Sequence, residues 1–575
     1  MLYSIIDKIL YTFILSTAIT LAPVATVNSP YFYDGDFVLS VAPGIHDEPF
    51  DLVVSIPSIP NATIYWTIDG TIPWGGTDRF KERGDHTIQV SGSIPESGKI
   101  TVHDRSGYWR YAILAAHSEL WPSRRDVIPA EGAEILQGTA FRFRGFVDGE
   151  AVTETITVTY VVAPNAAEQF NNRPVIAVTA PYEDLIYIYY NIDLTTRRRT
   201  FNYEYFELIE NEYIRFLNLP GSTSLGGKGS RHAAQRTFNV HLARGQLDSI
   251  VDHSVFCGLY ELYRFRLWNG GSNFGYDLTR DAFVQSASAE LNVPFSDNNL
   301  AIKFINGEFW GFTNMREHTS NRYFIHTRLG IDIDNIAVMD RNHGPSGFTD
   351  LVAEGDEAIV LELHAELVMF LRSNDMTSDY ARERLFNEFF CQYNFMDYLI
   401  ANTFFNNHDW PYNNVRYFRA IVPELNSQNP YNDGRWRFIL HDMDFAPHRT
   451  SSRRYLRSNF STLYELHPRV NRHRLWFNYA FLVLNNPTFA EQFRERAIYV
   501  LDNHYTQEQL LAYHDEFIMK YTPLLPKMYN RFAVRGTVDA SIDHFNFRTQ
   551  QLRTFIINRE YYYRQQLDEL VERVR

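Results

Sequence analysis

The stretch 406-NNHDWPYNNVRYFR-419, read with 436-WRFILHDMDF-445, decides the fold of the larger part of the chain. The first stretch places Asp409 and Asn414 five residues apart in a polar turn before an apolar strand. The second returns as a strand that ends at Asp442 and Asp444. Asn, Asp and Pro at this density are common in well-capped turns, so the loop alone is a weak signal. A helix, an acidic loop and a strand hairpin that ends in Asp-x-Asp form a more specific combination.

The paired acids indicate a cation site. Side chains alternate along a strand, so we expect Asp442 and Asp444 on one side of it, about 7 Å apart, beyond an apolar row that begins at Trp436. Two like charges at the edge of a core repel each other and lose hydration, which a hard cation would relieve. Oxygen ligands without a nearby Cys favour magnesium or manganese.

Three other uses of these residues stay open. His441 and His448 could bind zinc or iron, but His441 should point to the strand face opposite the two acids. The carboxylates could instead form a structural calcium site. Glycoside hydrolysis by a carboxylate pair, Asp442 with Asp444 or with Asp409, has no further support in the sequence.

The order of these residues is typical of protein kinases. Kinases place a catalytic Asp and, five residues later, a metal-binding Asn in one loop, and a hairpin then supplies the Asp that holds the main metal. Asp409, Asn414 and Asp442 follow that order with the same first interval. The sequence therefore predicts phosphoryl transfer assisted by a metal ion.

Composition limits the other classes of function. The 575 residues predict two or three domains, and 45% hydrophobic residues with 15% aromatics predict globular ones. A net charge of -14 disfavours nucleic acid as an obligate partner, since phosphate backbones need a basic surface. The two cysteines, Cys257 and Cys391, are too few for a disulfide framework or a structural zinc site and are expected to be core thiols, although a single disulfide stays open.

The first 28 residues have the layout of a secretory signal. Lys8 precedes a run of mostly apolar, small and hydroxyl side chains from Ile9 to Ala25, which is short for a membrane span. An ordinary buried strand or helix is the alternative. No other segment is apolar enough to cross a bilayer, so we expect no membrane span in the mature chain. The prediction is a secreted or cell-surface protein.

Residues 29–170 predict an all-β module. Short alternating runs such as "FDLVVSI", "TIYWTIDG" and "TETITVTYVV" are separated by Pro, Gly, Asn and Asp at the spacing of a β-sandwich. The run 62-ATIYWTIDGTIPWGGT-77 resembles the signature of the chitobiase/β-hexosaminidase C-terminal-like domain, an immunoglobulin-like sandwich often attached to secreted bacterial proteins. That resemblance implies a spacer or a module that contacts carbohydrate. Tyr65 and Trp66 are expected to pack in the core rather than to stack on sugar.

Residues 171–575 change to an α+β pattern. Strand-like "RPVIAVTA" and "NYEYFELI" lead into a glycine-rich passage, Asn306-Gly307 predicts a hairpin, and helical spacing dominates after Glu354. A long amphipathic helix is expected to end at the 406–419 loop. The region from 474 to 575 is rich in predicted helix and carries no catalytic cluster.

This second region resembles the CotH kinase family, atypical secreted or spore-coat protein kinases. The resemblance runs in the family's order through core motifs between residues 222 and 450, and the helical region 451–575 also fits. Its densest part is the pair of stretches quoted first. The matching stretches are "GGKGSRHAAQRTFNV", "FRLWNGGSNFGYDLTRDAF", "IKFINGEFWGFTNMRE", "EGDEAIVLEL", "FFNNHDWPYNNVRYFR" and "GRWRFILHDMDFA".

The resemblance implies a fold, a reaction and roles for individual residues. The implied fold class is α+β, an immunoglobulin-like β-sandwich followed by an atypical kinase-like two-lobed domain with a helical C-terminal part. Asp409 would accept or orient the substrate hydroxyl proton, while Asn414, Asp442 and Asp444 would hold Mg²⁺ or Mn²⁺. The segment that would approach the phosphates of ATP comprises Gly227, Lys228, Gly229, Ser230 and Arg236.

One departure from the family pattern affects the nucleotide site. Arg236 stands where family members often have Lys, and Arg lacks the compact ammonium that contacts phosphate as a point charge. Lys228 is an alternative phosphate ligand, and Glu317 matches a recurrent acid without an assigned role. The leading hypothesis is transfer of the ATP γ-phosphate to Ser or Thr of an exported or coat protein. The alternative is a catalytically inactive surface protein that binds carbohydrate or protein through the β module.

Overall fold

The structure is a computed structural model of the chain. It describes residues 31–76, 79–83, 86–95, 97–106, 129, 133–190, 198–227, 229–242, 264–319, 321–344, 347–411, 413–424, 426–447, 461, 463 and 476–575. The predicted secretory segment 1–28, Lys228, Cys257 and His448 lie outside these residues. Cys391 is a partly buried free thiol rather than a fully buried core thiol.

The N-terminal region consists of two β-sheets. One has the strand order β1-β2-β4-β8, and the other has the order β3-β11-β9-β5-β7-β6, with β10 paired to β9. The β3–β11 pairing is parallel, and the other strand pairs described in this region are antiparallel. The strands are β1 (Phe32–Asp34), β2 (Phe37–Leu39), β3 (Gly44–His46), β4 (Phe50–Ser55), β5 (Thr63–Thr67), β6 (Arg79–Arg83), β7 (His86–Ile94), β8 (Ser97–Val102), β9 (Thr139–Val147), β10 (Glu150–Ala151) and β11 (Ile156–Val162).

Apolar side chains from both sheets share one core. Leu52 and Val54 of the first sheet pack in the same cluster as Phe143 and Val158 of the second, which is the inward half of each strand's alternation. The predicted all-β character is confirmed. Tyr65 packs edge-on against Phe146 and Trp66 against Phe141, and both side chains are half-buried. Their expected role in packing rather than in sugar binding stays a prediction.

A closed seven-stranded barrel follows. Its strand order is β12-β13-β14-β15-β16-β18-β17, and β17 closes the ring by pairing in parallel with β12. Asn306 and Gly307, with φ of 48° and 80°, form the predicted hairpin turn between β17 and β18. The strands are β12 (Val175–Thr179), β13 (Arg199–Ile209), β14 (Glu212–Leu225), β15 (Phe238–His241), β16 (Arg264–Trp268), β17 (Asn298–Ile305) and β18 (Glu308–Glu317).

The N-terminal sheets contact the barrel directly. Arg215 of β14 forms ion pairs with Asp34 of the first sheet at 2.6 Å and with buried Glu204 of β13 at 3.0 Å. The backbone N–H of Thr159 also donates to Glu204 at 3.3 Å. Gly70, with φ of 76°, lies against the backbone carbonyl of Ala180, where a Cβ atom would clash. The two regions are therefore held together by buried polar contacts.

The remaining residues form a four-stranded sheet among helices. The sheet has the order β20-β19-β21-β22 and is antiparallel. Its strands are β19 (Ile336–Gly344), β20 (Gly347–Glu354), β21 (Val415–Ala420) and β22 (Arg437–Ile439). The α-helices within the described residues are α1 (Ala166–Gln169), α2 (Tyr182–Tyr190), α3 (Arg280–Ala287), α4 (Arg322–Leu329), α5 (Glu357–Ser373), α6 (Asp379–Arg384), α7 (Gln392–Phe404), α8 (Trp476–Phe481), α9 (Pro487–Asn503), α10 (Gln507–Tyr521), α11 (Leu525–Arg531) and α12 (Val538–Val574).

The predicted long amphipathic helix before the acidic loop is wrong in two respects. The chain is interrupted between α6 and α7, where Phe390 forms a β-bridge with Trp436 and the N–H of Cys391 donates to Trp436 O at 3.1 Å. All but the first two residues of α7 are buried, so this helix lies inside the core instead of presenting a polar face. The helical character of the C-terminal region is confirmed.

Candidate active site

A cavity of about 590 Å³ lies where the barrel meets the four-stranded sheet. The barrel contributes residues of β14, β15, β16 and β18, and the sheet contributes β19, β20, β21 and the loops that follow α7 and β22. This volume is in the range of small-molecule binding sites. The sequence-predicted residues that line it are Gly227, Ser230, Asp409, Asn414, Asp442 and Asp444.

The loop after α7 holds Asp409 through neighbouring amides. Asn413 and Asn414 donate side-chain N–H groups to Asp409 Oδ2 at 2.8 and 3.1 Å. The backbone N–H of Asp409 donates to Asn407 Oδ1 at 3.2 Å. Asn414 has a φ of 59°, a left-handed conformation that Asn tolerates better than most residues. The acid and the carboxamide five residues apart are therefore in direct contact, and Asn414 Oδ1 is not used in that contact.

The acids after β22 reach the cavity by an irregular backbone. The strand ends at Ile439, and Asp442 has a left-handed φ of 53°, so the prediction that strand alternation sets Asp442 and Asp444 on one face is wrong. Both acids nevertheless line the cavity. His441 lines it too, with Nδ1 2.9 Å from Arg416 Nη1, so the prediction that His441 points away is also wrong.

Asp281, at the start of α3, fixes the segment between the two acids. Its Oδ1 accepts the backbone N–H of Met443, and its Oδ2 pairs with the guanidinium of Arg316 on β18. Asp281 is fully buried. One carboxylate thus ties a helix, a barrel strand and the acidic loop together, and sequence reasoning did not single it out.

Asp444 is held from the turn that precedes α3. The backbone N–H of Ser272 donates to Asp444 Oδ2 at 2.7 Å, and Asn273 Nδ2 donates to its backbone oxygen at 2.8 Å. Gly271 has a φ of 59°, and a Cβ there would lie 2.7 Å from Asp444 Oδ2. Only glycine fits this approach.

Burial and mutual repulsion perturb both acids. Burial, followed by the charges of Asp281 and Asp409, raises the pKa of Asp442 to about 7. Burial, followed by the charge of Asp442, raises the pKa of Asp444 well above its ordinary value. Carboxylates that repel each other in a buried site favour a bound cation or proton.

The donor atoms fit a hard cation. Asn414, Asp442 and Asp444 offer only oxygen ligands. In the described part of the chain, no group of three or more His, Cys, Asp or Glu side chains forms a metal site by itself. Magnesium usually takes one or two carboxylates from the protein and completes its shell with water and phosphate oxygens. These residues therefore suit an ion that arrives with a nucleotide.

Part of the glycine-rich segment 227–230 borders the same cavity. Gly227 and Ser230 line it, and Gly227 has a φ of 75° with no room for a Cβ atom beside Ser230. Gly229 begins a 3₁₀ turn that ends at His232 and does not line the cavity. The backbone carbonyl of Gly227 accepts from Arg231 Nε.

Arg236 does not join the other predicted residues. It is buried at 3% exposure, its guanidinium stacks 4.4 Å from the centre of the Tyr189 ring, and Nη1 donates to Tyr189 O. Its neighbour Thr237 lines the cavity instead. The structure places Arg236 in the barrel core.

Four arginines that line the cavity were missed by sequence reasoning, Arg231 next to the glycine-rich segment and three on strands. Arg266, Arg316 and Arg416 lie on β16, β18 and β21 and all line the cavity. Arg416 forms an ion pair with Asp340 at 2.6 Å, and Arg316 stacks over Trp268 at 4.6 Å. Each lies inside a quoted motif, but strand sequence alone does not tell which face will border a cavity.

Glu317 also lines the cavity, at the end of β18. Its Oε2 accepts the backbone N–H of Asp297 at 3.0 Å and lies 3.9 Å from Arg328 Nη2. Burial raises the pKa of Glu317 to about 7. The recurrent acid of the sequence therefore belongs to the cavity wall.

These elements define a class of protein: a mixed α+β chain with a seven-stranded barrel, a helical C-terminal part and a polar cavity between the barrel and the four-stranded sheet. A family model described as CotH kinase protein matches residues 226–563. Because the match covers more than half of the 575 residues, the chain belongs to the CotH kinase family. Membership of a kinase family implies phosphotransferase activity and the use of ATP.

Three observations limit what can be added to the family assignment. A search of curated proteins gives no significant match. The N-terminal sheets lie outside the matched residues, so their resemblance to the chitobiase C-terminal-like domain stays a prediction. Among the described helices, none combines the length and the apolar character needed to cross a bilayer.

Proposed function

We propose that the protein is an atypical protein kinase that transfers the γ-phosphate of ATP to Ser or Thr of an exported or coat protein. The supporting observation is the convergence of Asp409, Asn414 and Asp442 on one cavity, although two loops distant in the chain supply them. Gly227 and Ser230 border the same space. Secretion or cell-surface location is part of the proposal and rests on residues 1–28 of the sequence alone.

In the proposed reaction, Asp409 acts as the base or orienting group. The acceptor hydroxyl oxygen forms a bond to the γ-phosphorus, the bond from that phosphorus to the bridging oxygen breaks, and ADP leaves with the electron pair. Asp409 takes or directs the hydroxyl proton, while its Oδ2 accepts hydrogen bonds from Asn413 and Asn414. Two fixed hydrogen bonds orient the carboxylate before substrate arrives.

Asn414, Asp442 and Asp444 would hold Mg²⁺ or Mn²⁺, which neutralises phosphate charge when bound. The backbone tie from Ser272 to Asp444 and the tie from Asp281 to Met443 keep the acidic loop in place. Catalysis here consists mainly of positioning, since the protein supplies little covalent chemistry.

Phosphate transfer by the full chain tests this proposal. We expect incorporation of phosphate from γ-labelled ATP only with Mg²⁺ or Mn²⁺, and a rate about 10²–10⁴-fold lower in Asp409→Asn. Asp568→Asn, an exposed acid of α12 paired with Arg494, is the charge-matched control and should keep full activity. ATP should also raise the Tm only when the metal is present. Full activity in Asp409→Asn would contradict the assigned role.

A second candidate is an inactive surface protein that uses its N-terminal sheets to bind carbohydrate or protein. Trp74, in the loop after β5, is 63% exposed, and an exposed indole is a common platform for sugar rings. Retention of the full chain on insoluble polysaccharide, lost in Trp74→Ala and kept in Asp409→Asn, would support this candidate if no phosphate transfer is found.

A further inference from the structure

Arg266 of β16 is a cation on the cavity wall that contacts the uncharged side chains of Asn239 and His318. Its Nε donates to Asn239 Oδ1 at 3.0 Å, and its Nη2 lies 3.2 Å from His318 Nε2. Arginine can only donate, so His318 must accept through an unprotonated nitrogen and is neutral in this pair. Burial, together with Arg266 itself, also lowers the pKa of His318 well below its ordinary value.

Arg266 differs in this respect from the two other cavity arginines of β18 and β21. Arg316 is paired with Asp281 and Arg416 with Asp340. Among the described residues, no carboxylate lies within ion-pair distance of Arg266. The carboxylates of Asp442 and Asp340 raise the pKa of this guanidinium only from beyond ion-pair distance, and their effect is smaller than that of burial and of the neighbouring arginines.

The surroundings of Arg266 add to that charge. Burial, then Arg416 and Arg316, lower its pKa to about 10, which still leaves it positive at neutral pH. A cation that is costly to keep in place, and that faces a cavity, gains most from a bound anion. Bidentate guanidinium contacts also suit phosphate oxygens.

The acids that line the same cavity restrict what kind of anion can enter. Asp409, Asp442 and Asp444 line the same cavity and would repel a free anion. A polyphosphate that carries its own divalent cation satisfies both kinds of group, since the metal would meet the acids and the phosphate oxygens would meet the arginine.

We infer that Arg266, flanked by Arg316 and Arg416, binds the polyphosphate chain of the nucleotide and takes the part that the sequence had assigned to Arg236. This inference rests on the proposed function, because it gives the nucleotide of that function its cationic ligand. Asn239 and His318 act as positioning residues that hold the guanidinium toward the cavity.

Binding of inorganic tripolyphosphate with Mn²⁺ to the full chain provides the first test. We expect Arg266→Gln to raise the Kd at least about tenfold, the loss typical of a charged hydrogen-bonded contact. Arg384→Gln removes the same charge from an exposed helix, where Arg384 pairs with Glu388, and should leave the Kd within about twofold. Equal Kd values for wild type and Arg266→Gln would overturn the inference.

Arginine modification of the wild-type chain gives a second test that needs no variant. Phenylglyoxal should modify Arg266 in the free protein, and tripolyphosphate with Mn²⁺ should protect it, as located by peptide mass spectrometry. Arg384 should be modified equally in both samples. Modification of Arg266 that is unchanged by ligand, or absent from the free protein, would contradict its role.

The two proposals fail separately. If the wild-type chain transfers no phosphate but binds tripolyphosphate, and Arg266→Gln does not bind it, the anion site stands and the kinase proposal falls. If Arg266→Gln transfers phosphate with an unchanged KM for ATP, the kinase proposal stands and the role of Arg266 falls.

Discussion

Two neighbouring regions of the barrel each hold a cation with no carboxylate in ion-pair distance among the described residues, and their surroundings differ. Arg266 on β16 borders the cavity and donates to Asn239 and His318. Lys303 on β17 is fully buried in the barrel, with Nζ 4.4 Å from the centre of the Phe238 ring and 3.5 Å from the backbone oxygen of Arg236.

The difference separates Arg266, which can bind a ligand, from Lys303, whose burial only lowers the stability of the fold. A ligand can reach Arg266 and repay its desolvation, whereas no ligand can reach Lys303 in the core. Burial lowers the pKa of Lys303 to about 7, so the lysine lowers the burial cost by losing its proton. Arginine cannot lower its burial cost in this way, because it keeps its proton at physiological pH. The contacts of a buried cation and its accessibility to a ligand, rather than its charge alone, decide whether it can bind that ligand.

The largest expected effect comes from removing the carboxylate partner of Arg316, a kind of partner that Arg266 lacks. Asp281→Asn leaves Arg316 without its carboxylate and weakens the tie to Met443. We expect a loss of about 3–5 kcal/mol in the free energy of unfolding, the usual cost of breaking a buried ion pair from one side. Urea unfolding followed by fluorescence measures it.

A double variant separates the charge from the packing. Arg316→Gln in the Asp281→Asn background should recover part of the lost stability, since the uncompensated buried cation is gone. If Asp281→Asn lowered the free energy of unfolding by less than about 1 kcal/mol, the cavity arginines would not need carboxylate partners. The lack of such a partner would then no longer distinguish Arg266 from Arg316 and Arg416.

Removing the buried charge of Lys303 should change the free energy of unfolding in the opposite direction. Lys303→Met removes a buried charge at nearly constant volume and should raise the free energy of unfolding by about 2 kcal/mol at pH 6. The folded pKa of about 7 lies below the ordinary 10.5, so the unfolded chain binds more protons between these values and wild-type stability rises with pH. The gain in Lys303→Met should therefore shrink above pH 7.

Urea unfolding of both proteins at pH 6 and pH 9.5 checks this prediction. Lys520→Met, at a partly exposed lysine of α10 that pairs with Glu516, controls for the loss of a charge and should change stability little. A gain in Lys303→Met that does not depend on pH would show that the lysine is not the group that titrates.

The acidic half of the site could be predicted because its spacing is local. Asp409 and Asn414 share one loop, and turn chemistry with a five-residue interval is visible in the sequence. The acids after β22 were found from composition and order, while the alternation argument failed because the strand ends at Ile439 and Asp442 adopts a left-handed backbone. Side-chain direction in an irregular segment cannot be read from a period of two.

The arginine half could not be predicted because it depends on long-range strand pairing. Arg266 of β16 and Arg316 of β18 are cross-strand partners, and Arg416 joins them in the cavity wall from β21 of the four-stranded sheet. Individual strands were recognised, but a closed seven-stranded ring is a long-range result of pairing. Asp281 was missed for the same reason, since its partners lie on β18 and in the loop after β22.

The smallest expected effect compares the two cationic positions directly. Arg236→Lys restores the residue that the family often has, but Arg236 lies in the core against Tyr189. We expect the KM for ATP to stay within about twofold, because the exchange changes packing and not a phosphate contact. Steady-state phosphate transfer at varied ATP measures it, with Arg266→Lys as the matched exchange on the cavity wall, where the loss of the planar fork should raise the KM. A tenfold change in Arg236→Lys with none in Arg266→Lys would move the phosphate ligand back to the position that the sequence indicated, and the barrel core would then have to open toward the cavity when nucleotide binds.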